Sequence, residues 1–168
     1  MSLSDKPFDI VVFGASGYTG RLVAEYLAAE YAGSDLKWAM AGRSLDKLAA
    51  VRAEMGISDA VELLAVDVDD PDSVTQMVDA CQVVITTVGP YQLYGDELVK
   101  QCADRGTDYV DLTGEPSWMH ETIAQYSSAA KASGARIVHS CGFDSIPFDL
   151  GVYRLQQHAI AKTGQPIA

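Results

Sequence analysis

The stretch VVFGASGYTGRLVAEYL, residues 11–27, decides the fold of this 168-residue chain. A β-branched run leads into three glycines spaced three apart, Gly14, Gly17 and Gly20, and then into apolar residues with helical spacing. A strand, a tight glycine turn and a helix in succession are typical of a first βαβ unit that binds a dinucleotide. In such a unit the glycines allow the turn, the approach of a pyrophosphate and close packing of helix on strand.

The residues between these glycines are candidates for phosphate contacts. The amino terminus of a helix favours negative charge, so we expect the first helical turn to face the phosphates. Ser16 and Thr19 add hydroxyl donors, and Tyr18 lies between them in the same turn. A glycine turn with a structural duty alone is the alternative, and the flanking strand and helix count against it.

Composition limits the classes of protein that the chain can belong to. Hydrophobic residues make up 48% and charged residues 21%, as in a globular domain, and the net charge of −11 argues against a nucleic-acid partner. Three widely spaced cysteines, without a CxxC pair or a Cys/His cluster, predict no metal site and favour a reducing, cytoplasmic setting. No apolar stretch approaches the ~18 residues of a membrane-spanning helix.

Six short apolar runs alternate with helical patterns along the chain. The predicted strands are residues 8–13, 36–41, 61–66, 83–88, 108–112 and 136–140. Together with the glycine turn, this alternation predicts an α/β fold with a doubly wound, parallel, six-stranded sheet, the Rossmann fold in strand order 3-2-1-4-5-6. We expect residues 1–168 to form this single domain, and a C-terminal substrate and catalytic domain to be absent from the chain.

Two helices carry apolar residues that we expect to be buried. Leu22, Val23, Tyr26, Leu27 and Tyr31 share one face of the first helix. Phe148, Val152 and Leu155 are the corresponding residues of the sixth helix. Apolar residues at helical spacing usually pack against the core of the domain.

The end of the second predicted strand, AGRSLDKL, indicates which dinucleotide is bound. Sites that prefer NAD carry an acidic residue here, about 20 residues beyond the glycines. This chain has Arg43 and Ser44 instead, with Lys47 one turn further on. A guanidinium opposes the dipole at a helix amino terminus, and a bound 2′-phosphate would reverse that effect. The pattern favours NADP(H) over NAD(H), against the alternative of a solvated arginine beside an ordinary serine cap.

Further candidates lie where the later strands end. Asp67 and Val68 follow the third strand, beside the expected adenine, although Asp67 is equally compatible with a solvated acidic turn. The fourth strand ends at the point where the order of the sheet reverses, so the residues there should line the crevice beside the nicotinamide ribose. These residues are Thr87, Val88, Gly89 and Pro90.

The last predicted strand ends in Cys141 and Gly142. A catalytic thiolate at Cys141 would need a base, and strand alternation places His139 on the same face. We favour the simpler interpretation, in which small residues pack near the nicotinamide. Glu115 precedes Pro116 and is expected to be an acid of a first helical turn. For Tyr91 and Tyr94 the alternatives are lining a substrate pocket and covering apolar surface, and we favour the second.

Five segments resemble the saccharopine dehydrogenase-like oxidoreductases, and in particular the branch that includes trans-acting enoyl reductases of glycolipid biosynthesis. They are FDIVVFGASGYTGRLVAEYL, AGRSLDKL, VITTVGPYQLYG, GTDYVDLTGE and RIVHSCGFDSIPFDLGVY. The resemblance covers almost the whole chain, and the last two segments are more specific than the glycine motif.

The resemblance implies an N-terminal NADP-binding Rossmann domain, with Gly14, Gly17, Gly20, Arg43 and Gly89 as cofactor residues. It implies reduction of a carbon–carbon double bond on a lipid or carrier-bound substrate, with membrane contact that is peripheral at most. A homodimer formed through a further C-terminal region is compatible with it. No catalytic residue can be transferred from the family to this chain.

Two other functions are alternatives, and the second requires a residue pair that this sequence lacks. A non-catalytic module that senses NADP(H) would need the same fingerprint. A short-chain reductase would need a Tyr-x-x-x-Lys pair, and the step from Tyr126 to Lys131 is one residue too long.

Overall fold

The computed structural model describes residues 6–167. The strands are β1 (Phe8–Phe13), β2 (Trp38–Gly42), β3 (Glu62–Ala65), β4 (Cys81–Thr86), β5 (Asp108–Val110) and β6 (Ile137–Val138). The helices are α1 (Tyr18–Glu30), α2 (Leu45–Glu54), α3 (Pro71–Ala80), α4 (Tyr91–Tyr94), α5 (Asp96–Arg105), α6 (Pro116–Ser133) and α7 (Ile146–Thr163). The strands form one parallel sheet in the order β3-β2-β1-β4-β5-β6, which confirms the predicted fold and strand order.

Helices pack against both faces of the sheet. Alternate residues of β1 point to opposite faces, so that Val11 and Phe13 join one buried cluster and Val12 joins the other. The first cluster includes residues of α3, α5 and α6, and the second includes residues of α1 and α2. Both faces of the central strand are therefore buried, as its continuous apolar sequence predicts.

The two strands that end nearest the expected nicotinamide differ from their predicted bounds. β4 begins at Cys81, directly after α3, and pairs there with Phe8 of β1. β4 ends at Thr86, so Thr87 and the residues after it form a loop outside the sheet. β6 contains only Ile137 and Val138, because the chain turns away at Ser140, where φ is 59°.

The predicted buried face of α1 is wrong in part. Leu22, Tyr26 and Tyr31 are exposed, whereas Gly20 and Ala24 are buried together with the correctly predicted Leu27. The first turn of the helix lies so close to the glycine turn that a Cβ at position 20 would collide with the Gly14 carbonyl oxygen.

The prediction for α7 is also wrong. Phe148, Val152 and Leu155 are 70%, 60% and 54% exposed, and Ala159 is the residue of this helix that is buried. None of these three side chains joins either core cluster of the part of the chain that the structure describes. Within residues 6–167, no helix combines the length and apolar character needed to cross a membrane.

A candidate dinucleotide-binding cleft

The glycine turn connects β1 to α1 with almost no space to spare. Gly14 has a φ of 88°, a conformation that glycine adopts without strain, and a Cβ there would lie 2.7 Å from Thr87 Oγ1. A Cβ on Gly20 would lie 2.1 Å from the carbonyl oxygen of Gly14, so α1 packs directly against the turn. These are two of the three duties that the sequence predicts for the glycines.

The amino terminus of α1 is open to an external anion. Gly17 occupies the N-cap position, no side chain caps the helix, and its first turn carries no acidic residue. The first N–H groups of a helix have no partner within the helix. Here they form a positive end without a competing carboxylate from the helix itself, which suits a phosphate group.

A cavity of about 300 Å³ lies above this turn and collects residues from four strand ends. It is lined by Phe13, Gly14, Ser16, Gly17, Gly42, Arg43, Val68, Asp69, Thr87, Val88, Gly89 and Tyr94. Eight residues of the predicted cofactor set therefore meet at one place, although up to 75 positions separate them along the chain. This meeting follows from the parallel sheet, which brings the carboxyl ends of its strands to one edge.

A second cavity, of about 340 Å³, opens beside the first. Its lining consists of Ser16, Arg43, Ser44 and Lys47. Ser44 Oγ accepts a hydrogen bond from Lys47 N at 3.3 Å and caps α2, while its own hydroxyl proton stays available to a ligand. Two cations and two hydroxyls without a carboxylate in the lining match the chemistry of a phosphate site.

A third cavity, of about 540 Å³, lies where β4, β5 and β6 end. Thr87 lines both this cavity and the first one. The predicted residues Thr19, Cys141 and Gly142 line it as well, together with apolar side chains that include Ile85, Val110, Leu112 and Phe143. A ligand that extends past Thr87 would therefore pass from a polar to a largely apolar environment.

Four predicted residues line none of these cavities: Gly20, which packs against the glycine turn, and Tyr18, Asp67 and Pro90. Asp67 Oδ1 accepts a hydrogen bond from Asp69 N at 3.2 Å, so this carboxylate stabilises the local turn. Asp69 lines the cleft instead. Tyr18 is 81% exposed, and Pro90 lies at the exposed start of α4 after a cis peptide bond. Sequence patterning places the acidic turn in the right region but does not distinguish its members.

The structure separates Cys141 from His139. The His139 ring is buried, with Nδ1 2.7 Å from Asp111 Oδ2, whereas Cys141 lines the apolar cavity. The predicted common face is wrong, because the positive φ of Ser140 ends the strand between them. Burial, and secondarily Asp111, raises the pKa of the Cys141 thiol, which disfavours a thiolate.

Tyr91 and Tyr94 have different surroundings. Tyr91 is buried against Trp118, with ring centroids 5.6 Å apart, and its hydroxyl donates to the Thr86 carbonyl. This arrangement agrees with the expected covering role. Tyr94 lines the first cavity, so the less favoured alternative of pocket lining describes this residue better.

The strand order, the glycine turn and the cleft at the carboxyl edge define a dinucleotide-binding α/β domain of the Rossmann class. Residues 10–138 match the family model described as the saccharopine dehydrogenase NADP binding domain. The chain belongs to this family, and its dinucleotide is NADP(H).

Relatives from mycobacteria match nearly the whole chain. A protein of Mycobacterium tuberculosis (strain ATCC 25618 / H37Rv), provisionally named a trans-acting enoyl reductase, is 49% identical over 165 residues, which is 98% of this chain and 39% of the relative. A trans-acting enoyl reductase of Mycobacterium leprae (strain TN) is 45% identical over 167 residues, 98% of this chain and 40% of the relative. The chain thus spans about two fifths of the length of these relatives.

A solved structure supports the fold independently. Saccharopine dehydrogenase (L-Glu forming) from Saccharomyces cerevisiae, in its apo form, matches with a TM-score of 0.64 and 20% identity. The match covers 88% of this chain and 32% of that protein. At this level of identity the similarity concerns the fold alone.

Proposed function

We propose that the three cavities form one continuous NADP(H) site along the carboxyl edge of the sheet. The pyrophosphate would bind at the turn of Gly14 and Gly17, and the 2′-phosphate at Arg43, Ser44 and Lys47. The observation that carries this proposal is the second cavity, whose lining offers two cations and two hydroxyls and no carboxylate.

The two ends of the cofactor would then lie on opposite sides of β1. Val68 and Asp69 would flank the adenosine, because they line the first cavity near Arg43. The nicotinamide would lie beside Thr87, Val88 and Gly89 and reach the apolar cavity that Cys141 and Gly142 line.

We further propose that the whole protein is an NADP(H)-dependent oxidoreductase that reduces a carbon–carbon double bond of a lipid or carrier-bound substrate in glycolipid biosynthesis. The names of the mycobacterial relatives support the reaction, and the apolar lining beside the nicotinamide end supports an acyl substrate. When bound, NADPH supplies the hydride, and this chain orients the cofactor and excludes water. A cytoplasmic homodimer that meets lipid through peripheral contact would be compatible with this function.

Replacing Arg43 tests the proposed phosphate site. In Arg43→Ala we expect affinity for NADPH to fall by about tenfold or more, because a charge-assisted hydrogen bond to the 2′-phosphate is lost. Affinity for NADH should stay unchanged, since that cofactor lacks the phosphate. Isothermal titration calorimetry of the 168-residue protein with both cofactors measures the two affinities.

The matched control is Arg154→Ala, which removes the same charge from an exposed position on α7. We expect this variant to bind both cofactors like the wild type. An equal loss of NADPH and NADH affinity in Arg43→Ala, or no loss of either, would contradict the proposed placement.

A further inference from the structure

A buried carboxylate joins the exits of β5 and β6. Asp111 directly follows β5, and its side chain is completely buried. Its Oδ1 accepts hydrogen bonds from Thr113 N at 3.0 Å and Ser140 N at 2.8 Å. Its Oδ2 accepts from Tyr109 Oη at 2.8 Å and lies 2.7 Å from His139 Nδ1. Four donors from two strand exits thus converge on one carboxylate.

The network around Asp111 favours its charged form. Burial by itself would raise the pKa of this carboxyl, but the hydrogen bonds from His139, Thr113, Ser140 and Tyr109 outweigh burial and hold the pKa below its ordinary value. The other ring nitrogen of His139 lies 3.2 Å from Thr122 Oγ1 on α6. Both nitrogens of the ring are therefore held in place.

A second carboxylate extends the network to the exit of β4. Glu115 accepts hydrogen bonds from Tyr91 N and Gln92 N, each at 2.8 Å, at the start of α4 and directly after Gly89 and Pro90. Its own N–H donates to Thr113 Oγ1 at 3.2 Å. The exits of three neighbouring strands are thus linked through two carboxylates.

Ser140 shows that the network holds the chain in an unfavourable conformation. Its φ of 59° is uncommon and unfavourable for a residue other than glycine. Two hydrogen bonds oppose this cost: Ser140 N donates to Asp111, and Ser140 Oγ donates to the Thr113 carbonyl at 2.7 Å. The resulting bend places Cys141 and Gly142 in the lining of the apolar cavity.

We propose that Asp111 and Glu115 are positioning residues that hold the exits of β4, β5 and β6 as one rigid rim for the nicotinamide half of NADP(H). The inference rests on the proposed function, which places that half of the cofactor at this rim. The loops that the carboxylates hold supply Val88 and Gly89 to one cavity and Leu112, Cys141 and Gly142 to the other.

The test compares NADPH with adenosine 2′,5′-bisphosphate, which retains the 2′-phosphate and lacks the nicotinamide. In Asp111→Asn and Glu115→Gln, an amide NH₂ replaces an acceptor that faces backbone donors, so the rim should loosen. We expect NADPH affinity to fall by about tenfold, because a loosened rim must be ordered when the nicotinamide half binds. Affinity for the bisphosphate should change less than about twofold. Calorimetry measures both, and the fluorescence of bound NADPH reports the environment of the nicotinamide.

Two further variants separate positioning from general destabilisation. Asp108→Asn is the matched control, because Asp108 bonds Arg136 and bridges the same two strands at their amino ends. It should bind both ligands normally. Ser140→Gly keeps the positive φ without strain and removes the CH₂OH side chain with its hydrogen bond to Thr113, so it should fold and show a smaller loss of NADPH affinity alone.

Each outcome decides between the possibilities. Selective loss of NADPH affinity in Asp111→Asn, Glu115→Gln and Ser140→Gly supports the rim. Equal losses of affinity for both ligands, or the same selective loss in Asp108→Asn, would overturn the proposed rim. The proposed NADP(H) site would then still stand. A wild-type protein that binds neither ligand would overturn the proposed function together with this inference.

Discussion

Gly20 sets the distance between the first helix and the dinucleotide turn. The missing side chain lets α1 approach until a Cβ would lie 2.1 Å from the carbonyl oxygen of Gly14 and 2.8 Å from Ala15 Cα. The neighbouring atoms belong to the backbone, so they cannot move aside as a flexible side chain could. The cleft therefore depends on a residue that contacts no ligand.

Replacing Gly20 by alanine should move α1 or unfold it. We expect Gly20→Ala to lower the free energy of unfolding by about 3 kcal/mol, as severe overpacking does. Chemical denaturation followed by circular dichroism measures this change. The control is Gly151→Ala, at another helical glycine where a Cβ meets open space. This change should raise the free energy of unfolding by about 0.5–1 kcal/mol. An unchanged unfolding midpoint in Gly20→Ala would show that the turn tolerates a side chain.

Local patterns predict some site residues and cannot predict others. The turn at Gly14 and the Ser44 cap depend on neighbours a few positions away, so their spacing is visible in the sequence. The bonds of Asp111 to His139 and of Glu115 to Tyr91 join residues 28 and 24 positions apart. Such pairs form only after the sheet brings the strand exits together, and no periodicity marks them.

The contrast between α6 and α7 shows where sequence patterning fails for whole helices. Both have 18 residues and a glycine in the left-handed conformation after the last turn. α6 buries four residues against the sheet and α5, whereas α7 buries one. An apolar helical pattern indicates that a helix can be buried, but the tertiary structure determines whether another element covers it.

This difference should appear in native-state hydrogen exchange. Because few buried contacts hold α7, we expect its amides to exchange well before those of α6, which serves as a control of equal length. Mass spectrometry of peptides from the two helices measures the rates in the 168-residue protein. Equal protection of the two helices would mean that α7 is covered in solution.

The whole molecule combines an acidic chain with a local anion site. The net charge of −11 repels an anionic cofactor at long range. At the cleft, the amino terminus of α1 lacks an acidic first turn, and Arg43 and Lys47 line the adjoining cavity. The sheet makes this possible, because its strand order brings the ends of β1, β2, β3 and β4 to one cleft.

A crystal structure of the 168-residue protein with NADP⁺ tests the proposed site most directly. We expect the pyrophosphate at the turn of Gly14 and Gly17, the 2′-phosphate within hydrogen-bond distance of Arg43, and the nicotinamide beside Thr87 at the rim that Asp111 holds. A 2′-phosphate in solvent, or a nicotinamide on the β3 side of the cleft, would contradict the proposed placement of the cofactor.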